Sequence, residues 1–315
     1  MGFLSLFRRK KAEEYPELPL EAWESVSARR PYLQSLGDGD KAELRRLASW
    51  FIDTKKFVPL EGATMTKTDE AAIAALACVP ILHLGQDWYD DWSTVLVAPD
   101  GFIHAISTVD AAGVVTEYED ELSGRVTELG PVVLSLPDVL ESGRGDGYNV
   151  VIHEMAHKLD ERDGALDGCP PLPRWISKRA WRSAFGAAYS DFLGRMERRS
   201  RTSRRSRATR LPLDEYAAES PEEFFAVACE AFFEAPGRLV DVYPDVYGLL
   251  AGFFSGKPAS PHPCAMEPWP GNDPSLSSGN SYRRKSSSDS QLTYPQASSV
   301  ARDDPFLAAT ASIYR

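Results

Sequence analysis

Two histidines four residues apart, in the run Val150-Val151-Ile152-His153-Glu154-Met155-Ala156-His157, constrain this chain more than any other feature. At helical spacing both imidazoles project from one face and can converge on one tetrahedral zinc ion. Glu154 lies beside that face. There it can activate a zinc-bound water as general base and pass the proton to a leaving amine, the work of peptide hydrolysis. The pattern uses two of only five histidines in 315 residues, so a chance occurrence on an ordinary amphipathic helix is the weaker reading. The preceding Val150-Val151-Ile152 would bury such a helix, which is expected from about 148 to 162.

A catalytic zinc takes three protein ligands and keeps one position open. Asp163, ten residues after His153, stands where one class of zinc peptidases places its third ligand, but position 160 is Asp and not the glycine that permits the required turn. The alternative is a glutamate on a later helix. Ser220-Pro221-Glu222-Glu223 carries a start signal, with Ser220 as N-cap, Pro221 in the first turn and Glu223 completing a capping box. Spacing does not choose among Glu222, Glu223 and Glu230. Of the acids just past the motif, Asp160, Glu161, Asp163 and Asp167, each is expected to solvate a helix end, with histidine orientation as its second role.

Around this motif the pattern predicts an α+β architecture. Residues 21 to 57 read as helices, with Leu44, Leu47, Phe51 and Ile52 at helical spacing and Asp38 or Asp40 as a start. A further helix is expected over 68–78. Short apolar runs at 79–84, 94–98, 103–108, 114–118 and 131–136, several separated by turn residues, read as strands of one small mixed sheet. Residues 1–19 are expected to be a flexible terminus, 20–257 the folded domain and 258–315 a disordered tail rich in Pro, Ser, Asn and Gly. Seven arginines between Arg198 and Arg210 cannot build a core, so 198–210 is expected to be a mobile surface loop.

A formal charge of −11 opposes general binding to nucleic acid or anionic membranes. The arginine run lacks the interleaved aromatic residues of a nucleic-acid site. The four cysteines form no CxxC pair or disulfide framework, which fits a reducing cytoplasm. The opening MGFLSLFRRKK has the wrong order for an export signal, and no apolar stretch is long enough to span a bilayer.

The motif in its setting, Gly147-Tyr148-Asn149 through Lys158-Leu159-Asp160, together with Tyr216-Ala217-Ala218, Ser220-Pro221 and Glu223-Phe224-Phe225-Ala226-Val227, resembles the Mlc titration factor A peptidases. Phe57-Val58-Pro59-Leu60 and Val79-Pro80-Ile81-Leu82 add weaker support. The resemblance implies a zincin-like domain with a gluzincin-like site: one zinc ion held by His153, His157 and Glu223, with Tyr216 as the active-site tyrosine that donates to the oxyanion. It also implies aminopeptidase-like action on small peptides and binding of the glucose-responsive repressor Mlc. The arginine-rich insert and long tail depart from the family's pattern.

Overall fold

The computed structural model describes residues 14–99, 130–201 and 211–257. In order these form α1 (Leu20–Ser27), α2 (Pro31–Ser35), α3 (Asp38–Thr54), β1 (Lys56–Pro59), α4 (Lys67–Cys78), β2 (Thr94–Ala98), β3 (Val132–Ser135), α5 (Leu136–Glu141), α6 (Val150–Asp160), α7 (Lys178–Arg201), α8 (Pro221–Glu234), α9 (Pro236–Val242) and α10 (Pro244–Phe254). The architecture is α+β and zincin-like, mostly helical around a three-stranded sheet.

That sheet has the order β1-β2-β3, and all its described pairings are parallel rather than mixed. β2 is central and buries Val95, Val97 and Ala98. β1 follows α3 after one residue, so a four-residue strand was hidden at the end of a stretch that reads as helix. The expected strand at 79–84 is instead a chain of tight turns, with Leu82 donating to Val79 O, Leu84 to Ile81 O, and Gly85 (φ +92°) closing on Ile81 O at 2.8 Å. Ile81 and Leu82 are buried there, and a buried apolar run looks alike in a strand and in a packed turn. The runs at 103–108 and 114–118 lie outside the described residues.

Two helices make the centre. α4 opens with a capping box between Thr66 and Asp69, and every residue from Ala71 to Cys78 is buried. Its alanines let α1, α3 and α6 approach closely. α8 is buried all round from Phe224 to Glu234, as an apolar helix inside a core must be. Phe225 meets Trp181 and Phe185 of α7, Phe224 meets Tyr189, Phe192 and Tyr243, and Phe232 stacks on Phe254. Each buried phenylalanine contributes about 1.5–3 kcal/mol of apolar transfer, so the position of α8 is strongly held.

Two expected boundaries shift. Before α1, Leu18 is buried and its N–H donates to Arg45 O at 3.1 Å, so the chain is packed from within the segment expected to be flexible. The arginine segment begins as helix, since α7 runs through Arg201. Residues 202–210 and the tail from 258 lie outside the described residues.

Candidate metal centre

α6 begins at Asn149, whose Oδ1 accepts from Ile152 N–H at 3.1 Å. Asn149 N–H and side chain are held in turn by α8, against which α6 packs. This fixes the turn that carries His153 and Glu154. One turn later His157 comes up on the same face, its ring 4.9 Å from that of His153.

α8 begins at Ser220, whose Oγ accepts from Glu223 N–H at 3.3 Å. The expected capping box is only half made. The Glu223 side chain points to the two histidines instead of back to its own helix end, with Oε2 3.0 Å from His153 Nε2 and 3.4 Å from His157 Nε2. The two Nε2 atoms are 3.2 Å apart. These three atoms form one cluster of possible ligands.

The chemistry of that donor set can be tested on its geometry. Three donors held at about 2.0–2.1 Å in tetrahedral directions stand about 3.3 Å apart, and the observed sides bracket that value. Glu223 Oε2 is buried and, despite its short distances to the imidazoles, has no hydrogen bond of proper direction. Buried polar atoms are rarely left so. The three ligand atoms lie close enough together to share one ion, and the cluster is suited to hold a metal ion.

Charge within the cluster is balanced locally. Burial opposes the charged form of His153, but Glu223 and Glu230 outweigh it and lift its pKa to about 10. Burial also works against the Glu223 carboxylate, and the two histidines overcome it to hold Glu223 near 2. A metal binding here would compete with a proton on His153. Tyr216, in the short helical turn Glu215–Ala218 started by Asp214, has its ring 5.8 Å from that of His153. Burial, then Glu223 and Glu154, raise its pKa to about 12, so the phenol keeps its hydrogen as a donor. Glu154 is half-buried beside His153 and adds to the field at both His153 and Tyr216.

The other candidates part company. Asp163 stands away from the cluster, 3.8 Å from Lys178 and accepting from Ala165 N–H. Glu230 lies behind His153, 2.9 Å from Nδ1, rather than among the clustered atoms. Asp160 does not solvate a helix end: it is fully buried, its Oδ2 accepts from Gly168 N–H at 2.7 Å, and burial raises its pKa to about 6. Gly168 has φ +75°, and a Cβ there would fall 2.8 Å from Pro221 O, so only glycine lets this loop seat against the start of α8. Sequence reasoning missed Asn149 and Glu234 as structural partners. The available signal was the spacing of Glu223, Glu230 and Glu234 along one helix.

The sequence profile described as glucose-regulated metallo-peptidase M90 matches residues 4–255. Mlc titration factor A of Escherichia fergusonii is 33% identical over 248 residues, covering 79% of this chain and 91% of the relative. The protein of the same name from Edwardsiella ictaluri is 37% identical over 236 residues, covering 72% and 85%, and that from Yersinia pestis 33% over 229 residues, covering 72% and 82%. With a match of this extent running through both helices of the candidate centre, the chain belongs to the glucose-regulated metallo-peptidase M90 family.

Proposed function

We propose that this chain is a zinc-dependent peptidase of aminopeptidase-like action, working in the cytoplasm. The observation that carries the reading is the convergence of His153, His157 and Glu223 at spacings suited to tetrahedral zinc, with Glu154 beside them. Zinc bound there supplies Lewis-acid polarisation of a carbonyl and of water. Glu154 takes a proton from the attacking water and delivers it to the amine as the C–N bond breaks. Tyr216 donates its O–H to the carbonyl oxygen as charge develops on it. The buried free thiols of Cys78, Cys169 and Cys229 support a reducing compartment, and among the described residues no helix is long and apolar enough to cross a membrane.

The test is metal content together with hydrolysis of an alanine-type aminoacyl reporter and an internally blocked peptide. Wild type is expected to hold one zinc ion and cut the aminoacyl reporter. Glu154→Gln should keep zinc and lose about 10²–10⁴-fold in rate, and Glu223→Ala should lose zinc. Metal-free wild type, or three proteins behaving alike, would overturn the reading.

The name shared by the relatives supports a second activity, binding of an Mlc-type repressor. Glu154→Gln separates the two: it should bind such a repressor as wild type does while failing to cut.

A further inference from the structure

Glu230 has no part in the chemistry above, yet it is buried, with 4% exposure, and both its oxygens are engaged. Oε1 lies 2.9 Å from His153 Nδ1, and Oε2 accepts from Asn149 N–H at 2.5 Å. One turn on, Glu234 accepts from Asn149 Nδ2 at 2.8 Å and from Gly145 N–H at 3.0 Å. A carboxylate this far from water persists where its oxygens are paired. Here the pairing runs from α8 to the first turn of α6 and to the back of one imidazole.

We propose that Glu230 is the positioning residue of the metal site, taking the Nδ1 hydrogen of His153 so that the Nε2 lone pair faces His157 and Glu223. This rests on the reading of His153 as a ligand. A neutral imidazole carries one ring hydrogen, and the acceptor at one nitrogen decides which atom is left free to ligate. Glu230 can serve both partners only as a double acceptor, because the Asn149 amide can only donate. Glutamine at 230 would set its NH₂ group against one of these two donors. The relaxed arrangement turns the amide oxygen to Asn149 and NH₂ to Nδ1, which moves the ring hydrogen to Nε2, the ligating atom. The brace is particular to the first histidine: His157 Nδ1 is buried with no hydrogen-bond partner among the described residues.

The experiment compares wild type, Glu230→Gln and Glu234→Gln, each checked for folding by circular dichroism in chelator. Zinc affinity is then read by competition with a chromophoric chelator. Glu230→Gln should bind zinc about 10–100-fold more weakly, and Glu234→Gln, which disturbs the same Asn149 without touching His153, within about twofold of wild type. Equal affinity in Glu230→Gln, or an equal loss in both variants, overturns the inference. A second reading needs no variant: cobalt-loaded wild type should show a paramagnetically shifted ring N–H in slow exchange with solvent, the hydrogen held by Glu230. Its absence overturns the inference even if Glu230→Gln fails to fold. Wild type that binds neither zinc nor cobalt overturns both this inference and the peptidase reading, whereas normal wild-type binding with an unaffected Glu230→Gln overturns this inference alone.

Discussion

At the first turn of α6, Asn149 is gripped by Glu230 and Glu234 while its own side chain caps the helix; at the last turn, His157 Nδ1 and Asp160 Oδ1 are buried without a hydrogen bond among the described residues. Both ends carry buried carboxylates within the same helix pair. They differ in whether the acids have donors enough to use them. The difference teaches that burial alone does not make a polar group structural: the first end is set by interlocked bonds around Asn149, whereas at the last Asp160 accepts from Gly168 and leaves its other oxygen buried.

The sharpest way to break this contrast is Asn149→Ala. It removes the cap of α6 and strands an oxygen of Glu234, which should cost about 2–4 kcal/mol in urea unfolding. A loss under about 1 kcal/mol would mean that the first end is no better tied than the last.

pH offers the next largest effect. Burial, opposed by Asn149 and Gly145 and reinforced by Asp146 and Glu230, lifts Glu234 to about 7 from 4.5. The folded chain then keeps a proton that the unfolded chain has released, so stability falls as pH rises from 4.5 to about 7. The fall should approach 3 kcal/mol, in order of magnitude, for this group. Glu234→Gln should be less stable at pH 5 but lack that slope, and parallel urea titrations at pH 5 and about 7.5 would reveal whether it does.

At the other end, Gly168→Ala forces a side chain towards Pro221 O in a left-handed conformation and should cost about 2 kcal/mol. Because the clash falls at the start of α8, zinc affinity should drop with thermal stability. The smallest change is expected for Asp160→Asn. The amide oxygen can keep the Gly168 bond, and the unpartnered carboxylate oxygen is replaced, so unfolding free energy at neutral pH should move by less than about 1 kcal/mol. A loss above about 3 kcal/mol would place a charged partner at this end and erase the contrast.

What could be read in the sequence follows from range. The motif histidines, the helix over Lys67–Cys78 and the Ser220 cap depend on residues within four positions of one another, and periodicity and capping chemistry expose these. The choice among Glu222, Glu223 and Glu230 depends on how α8 is rotated against α6, which local spacing does not encode. Asp160 reads as a solvated acid because nothing near it in the chain announces Gly168 or the start of α8 closing over it. Val79–Leu84 failed for a related reason, since apolarity records burial and not backbone shape. The family resemblance implies Glu223 and Tyr216 as site residues where periodicity leaves the question open.

One helix carries the clustered acid Glu223, the brace Glu230 and the cap partner Glu234. Such an arrangement tolerates exchange of side chains between these positions far better than a change in their number. Adding or deleting one residue between Glu223 and Glu230 would rotate the later acids by about 100° about the helix axis, taking the hydrogen acceptor from His153 and the grip from Asn149 in a single event. Genes that keep this centre should therefore vary in the letters of this segment and hold its length, so that an insertion there marks a copy that has given up the metal.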